Sequence, residues 1–167
     1  MLINVIWAGI VLWLHLLAAM FWVGGQLFLI GVVVPVLRAH LDEGERLRLV
    51  GAAGRRFATL SIGALAVLVV TGPLNVVAHG VSEAELRDSE WGHVLVAKVL
   101  LVLVVLVVTT VHSLYYGRRL EELASPSDTV ALARRQSLQR QSIRLSALNL
   151  LLNVIIVGLS AWLGTLP

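Results

Sequence analysis

The chain has 167 residues, of which 58% are hydrophobic and only 14% are charged. Because soluble domains carry about 25% charged residues, this balance indicates an integral membrane protein and argues against a soluble enzyme or a nucleic-acid-binding domain. The length leaves room for one transmembrane domain, residues 1–167. The chain contains no cysteine, which excludes disulfides, thiolate metal ligands and iron–sulfur clusters.

Four apolar stretches reach the length of about 20 residues that a helix needs to cross a bilayer. They span residues 4–37, 57–79, 92–116 and 143–163. The segments 41–56 and 129–142 mix charged residues with Leu, Val and Ala, so we expect both to extend the adjoining helices. Ser125–Asp128 is the clearest break, with Ser127 or Asp128 as the N-cap of the last helix. The chain is therefore predicted to be all-α, an antiparallel four-helix bundle in the membrane.

Arginine is concentrated in the loops that follow the first and third stretches. These two loops, together with Arg144 at the start of the fourth stretch, carry all but two of the 13 basic residues. The loop 80–91 between them carries four carboxylates against one arginine, Arg87. By the positive-inside rule, both basic loops are cytoplasmic. Both termini and the acidic loop are therefore expected outside a cell membrane that the chain crosses four times.

The first stretch contains a histidine and is longer than one bilayer crossing. About 34 residues would form a helix of roughly 50 Å against about 30 Å of hydrocarbon. Counting back about 20 residues from Arg38 places the outer boundary near Leu17, with Trp7 and Trp13 as an outer aromatic belt. His15 then lies in the outer leaflet or at its edge. An ionisable ring is costly there unless it faces a partner, a cavity or a ligand, so His15 is the first candidate functional residue.

Each predicted helix carries one stripe of polar residues. The stripes contain Asn4, His15, Trp22 and Gln26 on the first helix, Thr71, Asn75 and His79 on the second, Lys98, Thr109, His112 and Tyr116 on the third, and Ser146, Asn149, Asn153 and Ser160 on the fourth. Many of the Ser, Thr and Asn residues are expected to serve only as interhelical hydrogen-bonding groups, and His40 as a solvated surface residue. Lys98 either snorkels to the outer surface or points inward, where it needs an acid from the outer loop or the carboxylates of a ligand.

Three groups of residues form short motifs. They are His15 with Trp22-Val-Gly-Gly25, Arg56-Phe57 leading to Thr71-Gly72, and Trp91-Gly92 followed by Leu95 and Lys98. Together these motifs resemble the copper resistance protein D family. The first is also similar to membrane protoporphyrinogen oxidases of the HemJ type, small four-helix proteins that bind haem b. The resemblance covers residues 12–116 and implies copper uptake for one family and haem-linked redox chemistry for the other.

The leading hypothesis is a haem b-binding membrane redox protein, similar to a cytochrome, with the haem in the outer half of the bundle. His15 would be an axial ligand of the haem iron. Ala18, Ala19, Trp22 and Gly25 would form one wall of a flat apolar slot. A haem-dependent oxidoreductase activity is compatible with this arrangement.

The second haem ligand would come from another helix. His79 or His93 could supply it, and Lys98 would neutralise a propionate or serve as the ligand itself. His112 lies roughly 21 Å along the helix from Lys98, so the two cannot share one compact site. His112 therefore marks a second haem or metal site, or a structural hydrogen bond to Asn149, and we favour the structural role.

Copper is the alternative ligand, and a structural role is the third hypothesis. Copper(I) sites favour methionine and cysteine, but only Met20 lies inside a span. Copper(II) could be bound by His15 with His79 or His93 as co-ligand. The third hypothesis is a non-catalytic accessory subunit of a larger membrane complex. Besides the lipid bilayer, the expected partners are a membrane redox protein or a second copy of the chain.

Overall fold

The structure, a computed structural model, describes residues 2–123 and 128–166, and every regular element in these ranges is helical. The helices long and apolar enough to cross a membrane are Ile3–His40, Glu43–Ala78, Glu90–Tyr116 and Thr129–Leu163. They confirm the predicted all-α membrane fold. The chain divides into two units, Met1–Ser82 and Glu83–Pro167, and each unit contains two of the long helices. The side of the membrane that each terminus faces stays a prediction from the arginine distribution.

The first unit begins with a long helix that is interrupted by a wider turn. Its elements are α1 (Leu2–Phe28), the π-helical segment Leu29–Val33, α2 (Val34–His40) and α3 (Glu43–Ala78). The π-helical segment ends two residues before Pro35, whose ring lacks an N–H and crowds the carbonyl of Gly31, four residues earlier. The wider turn is therefore explained by the local sequence.

α3 begins at an N-cap and includes most of the extension predicted over 41–56. The Asp42 side chain accepts a hydrogen bond from the Glu45 N–H at 2.9 Å, which satisfies a donor that the first turn of a helix leaves unpaired. Glu43 and Glu45 also place negative charge at the positive end of the helix dipole. The helix then continues to Ala78 and contains Pro73.

α1 and α3 run antiparallel and bury one face of each helix. The buried residues are Val11, Ala18, Trp22 and Gln26 on α1, and Ser61 and Thr71 on α3. Most other large apolar side chains of the two helices are exposed, as contact with lipid hydrocarbon requires.

The closest approach of α1 to α3 occurs at Gly25. A Cβ atom at this position would overlap the ring of Phe57 on α3. Phe57 also packs against Phe21, with the ring centroids 5.9 Å apart. Gly25 therefore provides the space that the Phe57 ring fills, in the manner of small residues at helix–helix contacts in membranes.

The second unit contains a short helix, a tight corner and two long helices. Its elements are α4 (Glu83–Asp88), α5 (Glu90–Val111), the π-helical segment His112–Tyr116, α6 (Gly117–Glu122) and α7 (Thr129–Leu163). Ser89 caps α5 by accepting a hydrogen bond from the Gly92 N–H at 3.0 Å. A Cβ atom on Gly92 would overlap the backbone carbonyl groups of Glu85 and Leu86. Only glycine therefore allows α4 to pack so closely against the start of α5.

α7 begins where the sequence predicts and includes the extension over 129–142. Asp128 is its N-cap and accepts a hydrogen bond from the Ala131 N–H at 2.7 Å. The other predicted cap, Ser127, and the preceding Ser125 and Pro126 lie outside the described residues. α7 runs antiparallel to α5, because contacts that move forward along α5 move backward along α7.

Replacing Gly25 by alanine should destabilise the first unit. The added methyl group must displace the Phe57 ring, and overpacking of this kind costs about 1–3 kcal/mol. Gly24→Ala is the matched control, because a Cβ at Gly24 meets nothing within 4 Å. Thermal unfolding of the purified protein in detergent should show a lower midpoint for Gly25→Ala than for Gly24→Ala. Equal midpoints would contradict the close contact.

Candidate functional site

His15 is held by a hydrogen bond that joins α1 to α3. Its Nδ1 atom lies 2.8 Å from Oγ1 of Thr71, and the Thr71 hydroxyl lies 2.6 Å from the carbonyl oxygen of Val67. A carbonyl oxygen can only accept, so the Thr71 hydroxyl donates its proton to Val67. The Thr71 oxygen must then accept a hydrogen from His15. We infer that His15 carries its proton on Nδ1 and its lone pair on Nε2.

The residues around His15 include one of the motifs noted in the sequence. A Cβ atom on Gly72 would lie 3.9 Å from Cε1 of His15, so the backbone of α3 passes close to the imidazole ring. Thr71 is only 5% exposed, whereas His15 is half-buried. Thr71-Gly72 and His15, which are 56 residues apart in the chain, therefore meet in the structure.

The residues predicted to form a haem wall lie on the face of α1 that packs against α3. Trp22 is 5% exposed and Ala18 is 7% exposed. The carbonyl of Trp22 accepts a hydrogen bond from Nε2 of Gln26 at 3.3 Å. The space beside Gly25 is occupied by the Phe57 ring. In the first unit these small and aromatic residues thus contribute to helix packing.

His79 lies at the end of α3 and is exposed. Its Nδ1 atom lies 2.7 Å from the carbonyl oxygen of Asn75, so Nδ1 donates and the lone pair is on Nε2. Thr71, Asn75 and His79 follow one another at intervals of one helical turn. His79 therefore lies about 12 Å beyond Thr71, the hydrogen-bond partner of His15, on the same face of α3. His40 has the same tautomer, because its Nδ1 donates to the Val36 carbonyl at 2.9 Å.

His93 and Lys98 both belong to α5 in the second unit. His93 is exposed in the first turn of the helix, and Lys98 is half-buried. Five residues separate them, which rotates their side chains by about 140° around the helix axis. They therefore lie on different sides of α5. A pairing of His15 with His93 or Lys98 stays a prediction.

His112 makes hydrogen bonds to α7 with partners that the sequence analysis did not identify. Its Nε2 atom lies 3.0 Å from Oγ of Ser142 and 3.0 Å from Oγ of Ser146. The prediction of a hydrogen bond to Asn149 was wrong, because Asn149 accepts a hydrogen bond from the Thr109 hydroxyl at 3.4 Å instead. The helix rotation places His112 one turn closer to the start of α7 than we expected.

The sequence indicated some of the residues that make these hydrogen bonds, but it did not indicate which residue bonds to which. Thr71 and Ser146 each lie on a predicted polar stripe, so they were candidates for a histidine partner. Ser142 was assigned to the extension beyond the membrane, although its spacing of four residues from Ser146 places both on one face. That spacing was the signal that could have identified it.

The described residues contain no group of three or more His, Cys, Asp or Glu side chains that could hold a metal ion. A structural metal site of the usual four-ligand kind is thus not formed by these side chains. A metal bound within either unit would therefore have at most two of these described side chains among its ligands.

These features define the class of the protein: a multi-pass helical membrane protein with isolated imidazoles in or near its spans. Residues 51–163 match the family model of copper resistance protein D. Because the match covers more than half of the chain, the protein belongs to the copper resistance protein D family, as its motifs suggested. The match includes Thr71, His79 and His112 but begins after α1 and His15. No curated protein and no solved structure matches the chain.

Replacing Thr71 by valine should destabilise the first unit. Valine keeps the shape of threonine but leaves the Nδ1–H of His15 without its acceptor, which costs about 1–3 kcal/mol in a buried setting. Thr71→Ser, which keeps the hydroxyl, should unfold close to the wild-type temperature. Thr59→Val is the matched control, because the Thr59 hydroxyl is exposed and only contacts its own helix. If Thr71→Val and Thr59→Val unfold at the same temperature, the hydrogen bond to His15 contributes nothing.

Proposed function

We propose that this protein handles copper in the membrane and that the α1–α3 hairpin carries its copper-binding imidazoles. Membership of the copper resistance protein D family supports a copper substrate. The observation that carries the proposal is the hydrogen bond of His15 to Thr71, which directs the Nε2 lone pair of His15 away from Thr71. A neutral imidazole with a lone pair on Nε2 can bind a metal ion through that nitrogen.

Thr71 and Val67 act as the supporting groups of this ligand. Metal-binding histidines usually donate their second ring nitrogen to a carboxylate, a carbonyl or a water, which fixes the tautomer and the ring orientation. Here the hydroxyl of Thr71 receives that hydrogen and is itself anchored by the Val67 carbonyl. The arrangement therefore prepares His15 for a metal ion without placing a charge in the spans.

His79 is the second imidazole of the proposed path. It is exposed at the end of α3, and the Asn75 carbonyl holds it in the same tautomer as His15. Copper would bind first at His79 and then at His15, roughly 12 Å further along the hairpin. By the arginine distribution, this end of α3 faces outward, so the path leads inward from the outer surface.

A small number of ligands suits transport better than storage. A conducted ion must bind well enough to enter a site and weakly enough to leave it. Sites with one imidazole each meet this requirement, and they agree with the lack of larger ligand groups among the described residues. Imidazole is a suitable ligand for copper(II), whereas a copper(I) relay would need the methionines and cysteines that the spans largely lack.

Copper accumulation in cells that express the protein tests this proposal. We expect His15→Ala and His79→Ala to reduce the accumulated copper to the level of cells without the protein, because each removes one ligand. His40→Ala is the matched control, since His40 has the same tautomer but lies on α2. Copper per cell is measured by mass spectrometry and divided by the amount of each variant in the membrane. Wild-type accumulation by both His15→Ala and His79→Ala would overturn the proposal.

Thr71→Val adds a test of the supporting role. Loss of a group that orients a metal-binding histidine typically lowers metal affinity about 10–100-fold. Copper(II) titration of the purified protein should show a decrease of this size for Thr71→Val and no such decrease for Thr71→Ser or Thr59→Val. Unchanged affinity in Thr71→Val would show that His15 does not depend on Thr71 for copper binding.

Haem b is the second candidate ligand, favoured by the same orientation of His15. The Nε2 lone pair that would bind copper can equally serve as an axial ligand of haem iron. Bound haem would supply electron-transfer chemistry, and the chain would supply the ligand and the apolar surroundings.

An absorption spectrum of the purified protein decides between the two ligands. If the protein is a cytochrome, cells supplied with haem should yield protein with a Soret band that His15→Ala abolishes and His40→Ala leaves intact. If it handles copper, the same preparation should show no Soret band and should bind copper.

A further inference from the structure

The π-helical segment His112–Tyr116 has no cause in its own sequence. The other π-helical segment, Leu29–Val33, ends two residues before Pro35, whose ring crowds the carbonyl of Gly31 within the segment and so explains it. No proline lies within or directly after His112–Tyr116. Short π-helical turns without such a cause are often found at functional sites. This segment contributes both His112 and Tyr116 to the contact with α7.

The partners of His112 suit two protonation states. Its Nε2 atom lies 3.0 Å from each of two hydroxyl groups, those of Ser142 and Ser146. A hydroxyl can donate or accept a hydrogen bond by rotating its O–H bond. When Nε2 has a lone pair, a serine donates to it, and when Nε2 carries a proton, a serine oxygen accepts from it. Neither state requires a heavy atom to move.

The surrounding charges do not hold His112 permanently protonated. Among the side chains that the structure describes, the titratable and charged groups nearest to His112 along the elements packed against it are Tyr115 and Tyr116 on its own segment, Arg119 and Glu122 on α6, and Arg140 and Arg144 on α7. α5 contributes none closer than Lys98, roughly 21 Å away along the helix. Glu122 pairs with Arg119 at 3.4 Å. α7 contains no carboxylate between Thr129 and Leu163.

The contact lies near one end of the hairpin. The His112 and Tyr116 rings stack with centroids 6.2 Å apart, and the Tyr116 hydroxyl donates to the exposed Gln141 at 3.3 Å. Beyond Tyr116 the chain continues into α6, where Arg119 is exposed. A proton from water therefore needs to pass only about one helical turn to reach His112.

We propose that His112 is a proton-binding site, with Ser142 and Ser146 as hydrogen-bond partners that adapt to both of its states and the Tyr116 end of the α5–α7 hairpin as its entrance. In the binding step, a hydronium ion transfers its proton to the Nε2 lone pair and leaves as water. The serine that had donated to Nε2 rotates its O–H bond and accepts the new N–H. The reverse step returns the proton to water. This proposal uses none of the proposed copper ligands and does not depend on the proposed function.

Nitrogen NMR of the full protein in nanodiscs, with ¹⁵N-labelled histidine, tests the proposal. The ring-nitrogen signals of His112, assigned by their loss in His112→Gln, should change from the neutral to the imidazolium pattern as the pH is lowered from about 8 through the acidic range. Signals that keep the neutral pattern, or the imidazolium pattern, over this whole range would overturn it. The glutamine side chain can still form hydrogen bonds to the serines, so His112→Gln should fold.

The role of the serines is tested in the same spectra. In the double variant Ser142→Ala with Ser146→Ala, the imidazolium form loses both hydroxyl acceptors and keeps only the backbone carbonyl of residue 142, so the His112 signals should change to the imidazolium pattern at a lower pH than in the wild type. Ser137→Ala, at an exposed position of α7, is the control and should titrate as the wild type does. Titration of His112 in the double variant at the wild-type pH would overturn the role of the serines.

Discussion

The hydrogen bond between His15 and Thr71 is the interaction that allows a polar ring to lie in the apolar α1–α3 pair. A polar group in hydrocarbon costs several kcal/mol, on the order of 2–7, unless it is hydrogen-bonded. Here the hydrogen bonds form a chain from the imidazole to the Thr71 hydroxyl and then to the Val67 carbonyl. Because the Val67 carbonyl can only accept, the Thr71 hydroxyl must donate to it, and the imidazole must then donate to Thr71. The tautomer of His15, and with it the position of its lone pair, is thus a consequence of the backbone of α3.

Close packing of α1 against α3 makes this hydrogen bond possible, and it also limits the ligands that fit. The absence of a side chain at Gly25 admits the Phe57 ring, and Trp22 is buried in the same contact. The motif residues that resemble a haem slot in the sequence therefore stabilise the helix pair. A haem with His15 as its ligand would therefore have to bind on another face of α1, because α3 and the Phe57 ring occupy this one.

Hydropathy and local capping predicted the four long helices and Asp128 as an N-cap, because those features depend on neighbouring residues. The pairing of His15 with Thr71, across 56 residues, depends instead on how the two helices are rotated and aligned. The polar stripes identified the candidate residues but did not show how the residues of one helix align with those of its neighbour. The same reason explains the wrong partner for His112, where a shift of one turn along α7 exchanges Asn149 for Ser146. Neither π-helical segment was predicted, because a proline such as Pro35 can also kink or end a helix, and the sequence of His112–Tyr116 contains no proline to indicate a wider turn.

The two half-buried imidazoles, those of His15 and His112, differ in one respect that separates their proposed roles. The Thr71 hydroxyl is committed to the Val67 carbonyl, so it can only accept from His15, and the ring is held in one tautomer. In the part of the chain that the structure describes, the hydroxyls of Ser142 and Ser146 have no hydrogen bond to a carbonyl, so each can donate to His112 or accept from it. A fixed lone pair favours a metal ligand, because protonation would compete with the metal. Adaptable partners favour an imidazole that gains and loses a proton. His15 and His112 thus differ in their proposed chemistry because the hydroxyl partner of His15 is fixed, whereas the hydroxyl partners of His112 can rotate.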